Sequence, residues 1–524
     1  MSLRVACVGG GPGGLLTATL LRRRLPDTQV VVFERNSPTD TFGFGVVFSD
    51  ATLDRIHQAD PVLLDALRQH GVRWDEIEAR LRGERLRCGG NGMSAIRRVT
   101  LLGLLQQHAL DAGVDLRFST EVRDLAELDG FDVVVASDGA NSLVRREHAD
   151  DFGPDVEIAT AKFIWFATTY AFDGLTFVHE KGPHGVFAAH AYPIGDGIST
   201  FIVETDEPTW RRAALDAFDV SQPPGPSDEK TRAYLEQLFA EQIDGAPLLT
   251  NNSRWASFRT LCTASWRSGR YVLLGDAAHT AHFSVGSGTK MALEDAVALA
   301  EALVRTPDDV PGALERYEAE RRPGVERIQG SARPSLSWWE HFGRYYDALP
   351  PIQFMFHFLS RSISRGKLAR RDPGFVDAVD SWWAQTYGAA PLRTPLNVAG
   401  RTLPGRRAEL ATSAGRAELR CGAEAIPVAV DGAAPLAGSA VLVPAPDAEA
   451  GLAEAADALD RAMAAGAVLA VLRGGTPLTR VLLAEHARFQ AGIPAALVED
   501  CDDDAAETLV LSGRTDLVAR ESVA

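Results

Sequence analysis

The sequence predicts an α/β fold: a parallel sheet that opens the chain, an antiparallel sheet inserted within it, and a small α/β domain at the C-terminal end. Three observations carry that expectation. The β-rich run Arg4 to Val8 meets the cluster Gly9-Gly10-Gly11-Pro12-Gly13-Gly14. A helix-periodic stretch follows from Leu15 to Arg24, then a second apolar run from Gln29 to Phe33. Roughly between residues 155 and 260 the texture changes. Lys162 to Tyr170, Gly185 to Tyr192 and Gly197 to Glu204 alternate and are rich in Phe, Trp, Val and Thr, as antiparallel strands are. From about residue 389 the tail holds no Trp or Tyr, one Phe (Phe489) and long Ala-rich runs. Gly388, Pro391 and Pro395 punctuate the junction.

Each remaining element follows from its own pattern. Phe131 to Ala136 and Tyr271 to Leu274 are continuous apolar runs, the texture of parallel strands covered on both faces. Met291 to Arg305 reads as a long helix. Residues 334 to 386 read as helical, with a Trp, Phe and Tyr cluster and a basic run. The expected organisation is therefore one body over 1–385 and a second domain over 389–524. Within the first, nucleotide-binding segments cover about 1–80, 98–155 and 262–330, the inserted sheet about 155–260, and a helical segment 331–385.

Composition excludes several classes. A chain of 524 residues with 46% hydrophobic and 23% charged residues is neither one ordinary domain nor disordered. Lys and Arg number 53 against 70 Asp and Glu, a net charge of −17, so nucleic acid is not an expected partner. Any anionic small ligand must be met by local cations or backbone N–H groups. Five scattered cysteines with no C-x-x-C pair argue against a disulfide framework and against a metal site. No apolar leader precedes the glycine cluster, and no run of about 18 apolar residues occurs, so a cytoplasmic, non-membrane protein is expected.

The glycine cluster fits G-x-G-x-x-G as Gly9, Gly11 and Gly14, flanked by Pro12 and Gly13. Between a strand and a helix this is the Rossmann-like dinucleotide turn. Its glycines allow the tight turn, the approach of backbone to a pyrophosphate and close helix–strand packing. Glu34, 20 residues past Gly14 and followed by Arg35, is placed to accept hydrogen bonds from a ribose diol. NAD and FAD both suit this geometry.

Two later motifs narrow the choice. Asp138-Gly139-Ala140-Asn141-Ser142 with Arg145 follows one buried strand. Gly275-Asp276-Ala277-Ala278-His279 follows another, and continues through Phe283, Gly286 and Gly288 to Glu294-Asp295-Ala296. This three-part signature resembles the single-component FAD aromatic hydroxylases related to para-hydroxybenzoate hydroxylase. The resemblance implies FAD, NADH or NADPH as transient reductant, and O2 as co-substrate, acting through a hydroperoxide at flavin C4a. It implies Asp276 at the ribityl chain, Asp138 near FAD and nicotinamide, Arg98 at the phosphates, and Gly286 and Gly288 beside the ring. Phe283 and Lys290 depart from that family's usual Pro and Asn, so contacts at the ring face are expected to differ.

Gly43 to Asp50, Ala278 to Ser284, and Arg361-Ser362 with Arg371-Asp372-Pro373 resemble the salicylyl-CoA and 2-aminobenzoyl-CoA monooxygenases. Lys162 to Trp165, His190 to Tyr192 and Ser199 to Glu204 also resemble a hydroxylase of tryptophan derivatives. The resemblance spans about residues 3 to 385 and implies hydroxylation of an aromatic acyl thioester, best matched by salicylyl-CoA going to 2,5-dihydroxybenzoyl-CoA. The alternatives are 2-aminobenzoyl-CoA or a free aromatic metabolite. Pro391 to Arg406, Ala491 to Pro494 and Leu511 to Val518 resemble parts of an old-yellow-enzyme barrel. The tail is too short for a full eightfold barrel and has one histidine, His486, so a truncated, non-catalytic remnant is expected.

Such chemistry wants a base or hydrogen-bond acceptor near a phenolic oxygen. His190 and Tyr192, two apart on a strand, share a face; His282 lies on the loop expected to pass the flavin; His279 reads as structural. Phe48 and Lys290 are further substrate-side candidates. Arg361, Arg365 and Arg371 are candidates for CoA phosphates, against the alternative of a solvated helix face. A flavin reductase that never handles oxygen, or a non-enzymatic flavin sensor, are the competing classes.

Overall fold

The computed structural model describes residues 3–41, 43–49, 54–219, 225–413, 416–430 and 438–523. Asp50, at the end of one motif named above, lies outside them. The chain divides into two compact units, Met1–Arg85 with Gly90–Glu340, and Leu86–Gly89 with His341–Ala524. The prolines predict a boundary near Gly388, whereas the structure groups residues 341–385 with the tail. The reason is direct bonding within that unit. Trp383 Nε1 donates to Thr394 Oγ1 at 2.9 Å, and Gln353 Nε2 donates to the Leu511 carbonyl at 2.9 Å.

The first unit opens with Arg4–Val8, the helix Pro12–Arg24 and Gln29–Phe33. Arg4–Val8 pairs in parallel with Gln29–Phe33 on one side and Val133–Ala136 on the other. Tyr271–Leu273 and Asp115–Arg117 extend this six-stranded sheet at either side, and Arg267–Ser268 closes one edge. Val5, Ala6, Cys7 and Val133 to Ala136 are fully buried, which is why these strands carry no polar alternation. The helix Gly288–Arg305 packs against Pro12–Arg24.

The inserted sheet runs Leu248–Leu249, Pro154–Thr168, Ile198–Thr205, Gly185–Gly195, Leu175–Gly182, Ile77–Leu81, and Ala256–Thr263 also pairs with Pro154–Thr168. Leu175–Gly182 joins Gly185–Gly195 by a tight hairpin, a strand that the sequence pattern does not single out. Ile77–Leu81 comes from the expected nucleotide segment and pairs in parallel with Leu175 to His179. Register sets the rows across one face. Trp165 lies opposite Ile202, Ile202 opposite His190, and His190 opposite Phe177. In the next row Phe163 lies opposite Glu204, and Glu204 opposite Ala188. A smaller antiparallel sheet joins Gly45–Ser49, Met93–Arg97 and Val72–Trp74.

The second unit holds the helices Pro351–Leu359, Arg365–Arg371 and Pro373–Tyr387, and a closed barrel of seven strands from Arg407–Ser413 to Leu517–Val523. The first three strands are antiparallel neighbours and the rest pair in parallel; Leu517–Val523 closes the barrel on Arg407–Ser413. Alternation separates two apolar clusters. Leu410, Leu419, Ile426, Leu469, Val471 and Leu517 belong to one, and Val441, Val443, Ala470 and Leu472 belong with helix residues such as Leu459 and Leu483 to the other.

Candidate active site

A cavity of about 1210 Å³ within the first unit is walled by the glycine turn, the two later motifs and the face of the inserted sheet. The turn's glycines divide their roles. Gly9 has φ +103°, and a Cβ there would meet the Ser137 carbonyl at 2.3 Å. A Cβ on Gly14 would meet the Gly9 carbonyl oxygen at 2.3 Å, and one on Gly13 would meet Leu274 at 2.4 Å. A Cβ on Gly11 would meet nothing within 4 Å; it would stand in space that a ligand can use. Gly14, expected at the cofactor, therefore packs helix against strand and does not line the cavity.

Glu34 lines the cavity at the end of its strand. Its Oε2 accepts from Gly10 N at 2.8 Å and its Oε1 from Asn36 N at 2.8 Å, so the carboxylate is fixed before any ribose arrives. Arg35 lines the same wall. The Asp138 Oδ2 accepts from Leu143 N at 2.7 Å, while its buried Oδ1 has no hydrogen-bond partner among the described residues; nor has the buried Ser287 Oγ beside Gly288. Such orphaned atoms suit a bound polar ligand. Burial pushes the Asp138 carboxyl up. Asp276 lines the cavity, and enclosure by the protein pushes its carboxyl up, while His279 and Arg98 act the other way. Arg98 begins the helix Arg98–Asp111 and lines the cavity, its guanidinium donating no hydrogen bond among the described residues. An enclosed guanidinium of this kind is an anion site. Arg145 Nη1 donates to the Ala277 carbonyl at 2.7 Å and Nη2 to the Ala140 carbonyl, tying the two later motifs together. The cradle thus offers backbone N–H groups, a carboxylate for a diol and a cation, a set that fits a dinucleotide.

The remaining wall is aromatic. Phe163, Trp165, Phe177, Ile202, Phe258 and Phe283 line it beside Phe48, His190, Tyr192, Gly286, Gly288 and Lys290. Phe283 packs on Phe163 at 5.0 Å and Trp165 at 5.8 Å between ring centroids. The expected face-sharing of His190 and Tyr192 brings both to the cavity. The Tyr192 hydroxyl donates to the Gly45 carbonyl at 3.4 Å, and burial pushes its phenol up, so it stays a donor. The His190 ring lies 4.2 Å from that of Trp339. Lys290 Nζ is 3.6 Å from Glu294 Oε1.

His282 does not line the cavity. Its ring turns inward, with Nδ1 accepting from Ser284 N at 3.3 Å and Nε2 lying 3.7 Å from Glu204 Oε2. His279 Nε2 lies 2.8 Å from Asp295 Oδ2, and Arg321 Nε donates to Asp295 Oδ1 at 2.8 Å. Burial alone would raise the Asp295 carboxyl, but His279 and Arg321 hold it below the usual range. Arg361, Arg365 and Arg371 belong to the second unit. Arg365 pairs with Asp380, Arg361 donates to the Phe358 carbonyl at 2.6 Å, and Arg371 is exposed. Sequence reasoning missed Glu204 and most of the aromatic wall; the alternation of Phe163 and Trp165 was the available signal.

The family model "FAD binding domain" matches residues 2–331. A Streptomyces sp. protein described as salicyloyl-CoA 5-hydroxylase is 62% identical over 521 residues, 98% of this chain and 99% of that protein. A 3-hydroxy-4-methyl-anthranilyl-[aryl-carrier protein] 5-monooxygenase of Streptosporangium sibiricum is 37% identical over 64% of this chain and 89% of its own length. In fold, the crystal structure of p-nitrophenol 4-monooxygenase PnpA from Pseudomonas putida DLL-E4 superposes with a TM-score of 0.54, at 21% identity, over 72% of this chain and 94% of that one. The chain belongs to the FAD-dependent aromatic monooxygenases, flavoproteins that take electrons from NAD(P)H and use O2 as co-substrate.

Proposed function

We propose that this chain hydroxylates an aromatic acyl thioester, converting salicyloyl-CoA to 2,5-dihydroxybenzoyl-CoA. One observation carries the reading: the glycine turn and the face bearing His190 and Tyr192 open into the same cavity. Similarity to the Streptomyces protein along nearly its whole length supports the salicyloyl thioester. The overall change replaces a ring C–H by C–OH, sends the second oxygen atom to water, and takes two electrons and a proton from NAD(P)H and one proton from solvent.

Gly9 to Gly13 would hold the FAD pyrophosphate, Glu34 a ribose, Asp276 the ribityl chain, and Asp138 and Arg98 the polar groups between. Bound FAD supplies the activation of oxygen. The protein's own share is orientation and charge. Phe163, Trp165, Phe177 and Phe283 hold a flat ring and exclude water from it. The target carbon is para to the phenolic oxygen, so withdrawing the phenol's proton makes it more nucleophilic. His190 accepts that proton, and Tyr192 stands beside it on the same strand face. An amino ring in place of the phenol is the second reading, favoured by the anthranilyl relative. We read the barrel as non-catalytic, since its interior is filled by Leu410, Leu419, Ile426 and Leu469.

The test compares NADH and NADPH oxidation by the FAD-loaded protein with salicyloyl-CoA, free salicylate and 2-aminobenzoyl-CoA, under 18O2. Stimulation by salicyloyl-CoA with one labelled oxygen in the product supports the reading. An equal response to free salicylate removes the thioester from it, and stimulated oxidation without labelled product overturns it.

A further inference from the structure

The inserted sheet buries a carboxylate that the reading above does not use. Glu204 is fully buried on Ile198–Thr205. His190 lies opposite Ile202, so Glu204 sits two residues along the same face, a diagonal neighbour within reach of a long side chain. His190 Nε2 lies 2.7 Å from Glu204 Oε1. His282 Nε2 approaches the other oxygen, Oε2, at 3.7 Å. One carboxylate therefore stands between two imidazoles, and one of them lines the cavity.

The hydrogen positions follow from the partners. The Ser284 backbone N–H can only donate, so His282 Nδ1 is an acceptor and its ring proton lies on Nε2, toward Glu204. The Ser284 hydroxyl is 2.7 Å from the same Nδ1 and 2.7 Å from Ser335 Oγ, which holds the His282 ring in that orientation. Two bare lone pairs do not face each other at 2.7 Å, so a proton lies between His190 Nε2 and Glu204 Oε1. With that proton on the imidazole, His190 is held in the tautomer whose Nδ1 accepts.

We propose that Glu204 is a positioning residue for the hydroxylation: it fixes His190 with Nδ1 as the acceptor for the substrate's phenolic hydrogen, and His282 steadies the carboxylate from its far side. This rests on the phenol reading above. When His190 Nδ1 takes the phenol proton, the imidazolium forms against the Glu204 carboxylate, and the ring gains the electron density that the phenolate oxygen releases. The same proton leaves to water after product forms, so nothing further is consumed. The titratable groups around His190 are Glu204 from one neighbouring strand, His179 from the other, Tyr192 on its own strand and His282 from the loop. Burial, with His190 nearby, holds His179 down at about 3, so it stays neutral. Trp339 and Phe283 complete the surround without charge.

The experiment uses the FAD-loaded protein as wild type, Glu204→Gln, His190→Gln and His282→Gln, with FAD content and melting temperature as controls of folding. Two substrates are compared: salicyloyl-CoA and its 2-methoxy analogue, which has no phenolic hydrogen. Ionisation of bound salicyloyl-CoA is followed anaerobically by its phenolate absorbance against pH. For Glu204→Gln we expect the hydroxylation kcat on salicyloyl-CoA to fall about a hundredfold with little change in KM. The ionisation of the bound phenol should move up by about one pH unit. His190→Gln should do the same, and His282→Gln should lose roughly tenfold. Turnover of the methoxy analogue should be equal in all four proteins.

Wild-type hydroxylation and an unmoved ionisation in Glu204→Gln overturn the proposal. So does an equal loss on the methoxy analogue, which marks a merely structural role. Should Glu204→Gln fail to retain FAD, His190→Gln decides by the same two readouts. A wild type inactive on salicyloyl-CoA overturns the substrate reading alone, and the variants are then scored on whichever phenol it hydroxylates. A wild type that hydroxylates no phenol overturns both.

Discussion

Asp295 and Glu204 are both fully buried carboxylates with an imidazole within 2.8 Å, yet they serve different ends. Asp295 also accepts from Arg321 Nε at 2.8 Å and from Gly275 N at 3.1 Å, and neither His279 nor Arg321 lines the cavity. Its charge is met by a permanent cation, so it fastens the Gly275–Ala277 motif to the helix Gly288–Arg305. Glu204 faces two histidines, whose charge depends on a proton, and one of them lines the cavity. The same pair of side chains is a fastener where a guanidinium completes it and a poised site where it borders a ligand.

The strongest way to break this comparison is Asp295→Ala. It leaves the Arg321 guanidinium with Glu294 alone, 2.9 Å away, and takes the acceptor from His279 and from Gly275 N, and we expect a loss of about 3 kcal/mol in denaturant unfolding. Glu204→Gln should cost only about 1 kcal/mol in the same measurement. Equal losses would put the two carboxylates in one class.

The glycine turn allows a second contrast. Gly14→Ala drives a Cβ into the Gly9 carbonyl, and we expect about 2–3 kcal/mol of destabilisation. Gly11→Ala meets only open space. It should leave thermal unfolding of the FAD-free protein unchanged while weakening FAD binding about tenfold, which is about 1.4 kcal/mol, by fluorescence titration. If Gly11→Ala binds FAD normally, the diphosphate does not lie there.

Acid should act through the buried histidines. Burial, with His190 nearby, holds His179 at about 3, and burial with Arg514 nearby holds His357 at about 4. Each takes up a proton more readily when unfolded, so stability is full above about pH 6.5 and falls as pH drops toward these values. The slope is at most about 1.4 kcal/mol per pH unit for each histidine. Glu485, held at about 2 against its burial by His357 and Arg344, adds stability that is present above its unfolded value and lost as pH falls toward 2. Unfolding at pH 7, 5 and 4 checks the first sign. The smallest effect should come from Arg365→Ala. It removes a part-exposed pair with Asp380, and should change unfolding by under about 1 kcal/mol and salicyloyl-CoA turnover not at all.

Much of this molecule is written locally. The turn Gly9 to Gly14, the acid Glu34 and the motifs at Asp138 and Asp276 are contiguous strings whose geometry depends on φ, on missing Cβ atoms and on helix ends. They could be placed from residue types alone, as could the face shared by His190 and Tyr192, because a strand alternates sides whatever it pairs with. Gly14 shows the limit, since the motif did not say which glycine touches ligand and which touches backbone. Five scattered cysteines and a net charge of −17 narrow the classes by composition alone, because neither depends on how the chain folds.

What tertiary structure decided was pairing between distant segments. Strand register put Glu204 one diagonal step from His190, and brought Phe163, Trp165 and Phe177 onto the cavity wall. The turn of the His282 ring, away from the cavity and toward Glu204, depended on Ser284 and Ser335. The boundary at His341 depended on bonds from the helices Pro351–Leu359 and Pro373–Tyr387 to the tail, which prolines near residue 391 could not reveal. Local conformation is set by neighbouring residues and is legible in sequence. Register, side-chain direction and the partners of a buried charge are set by whichever segments meet in space, and no short string of residues names them.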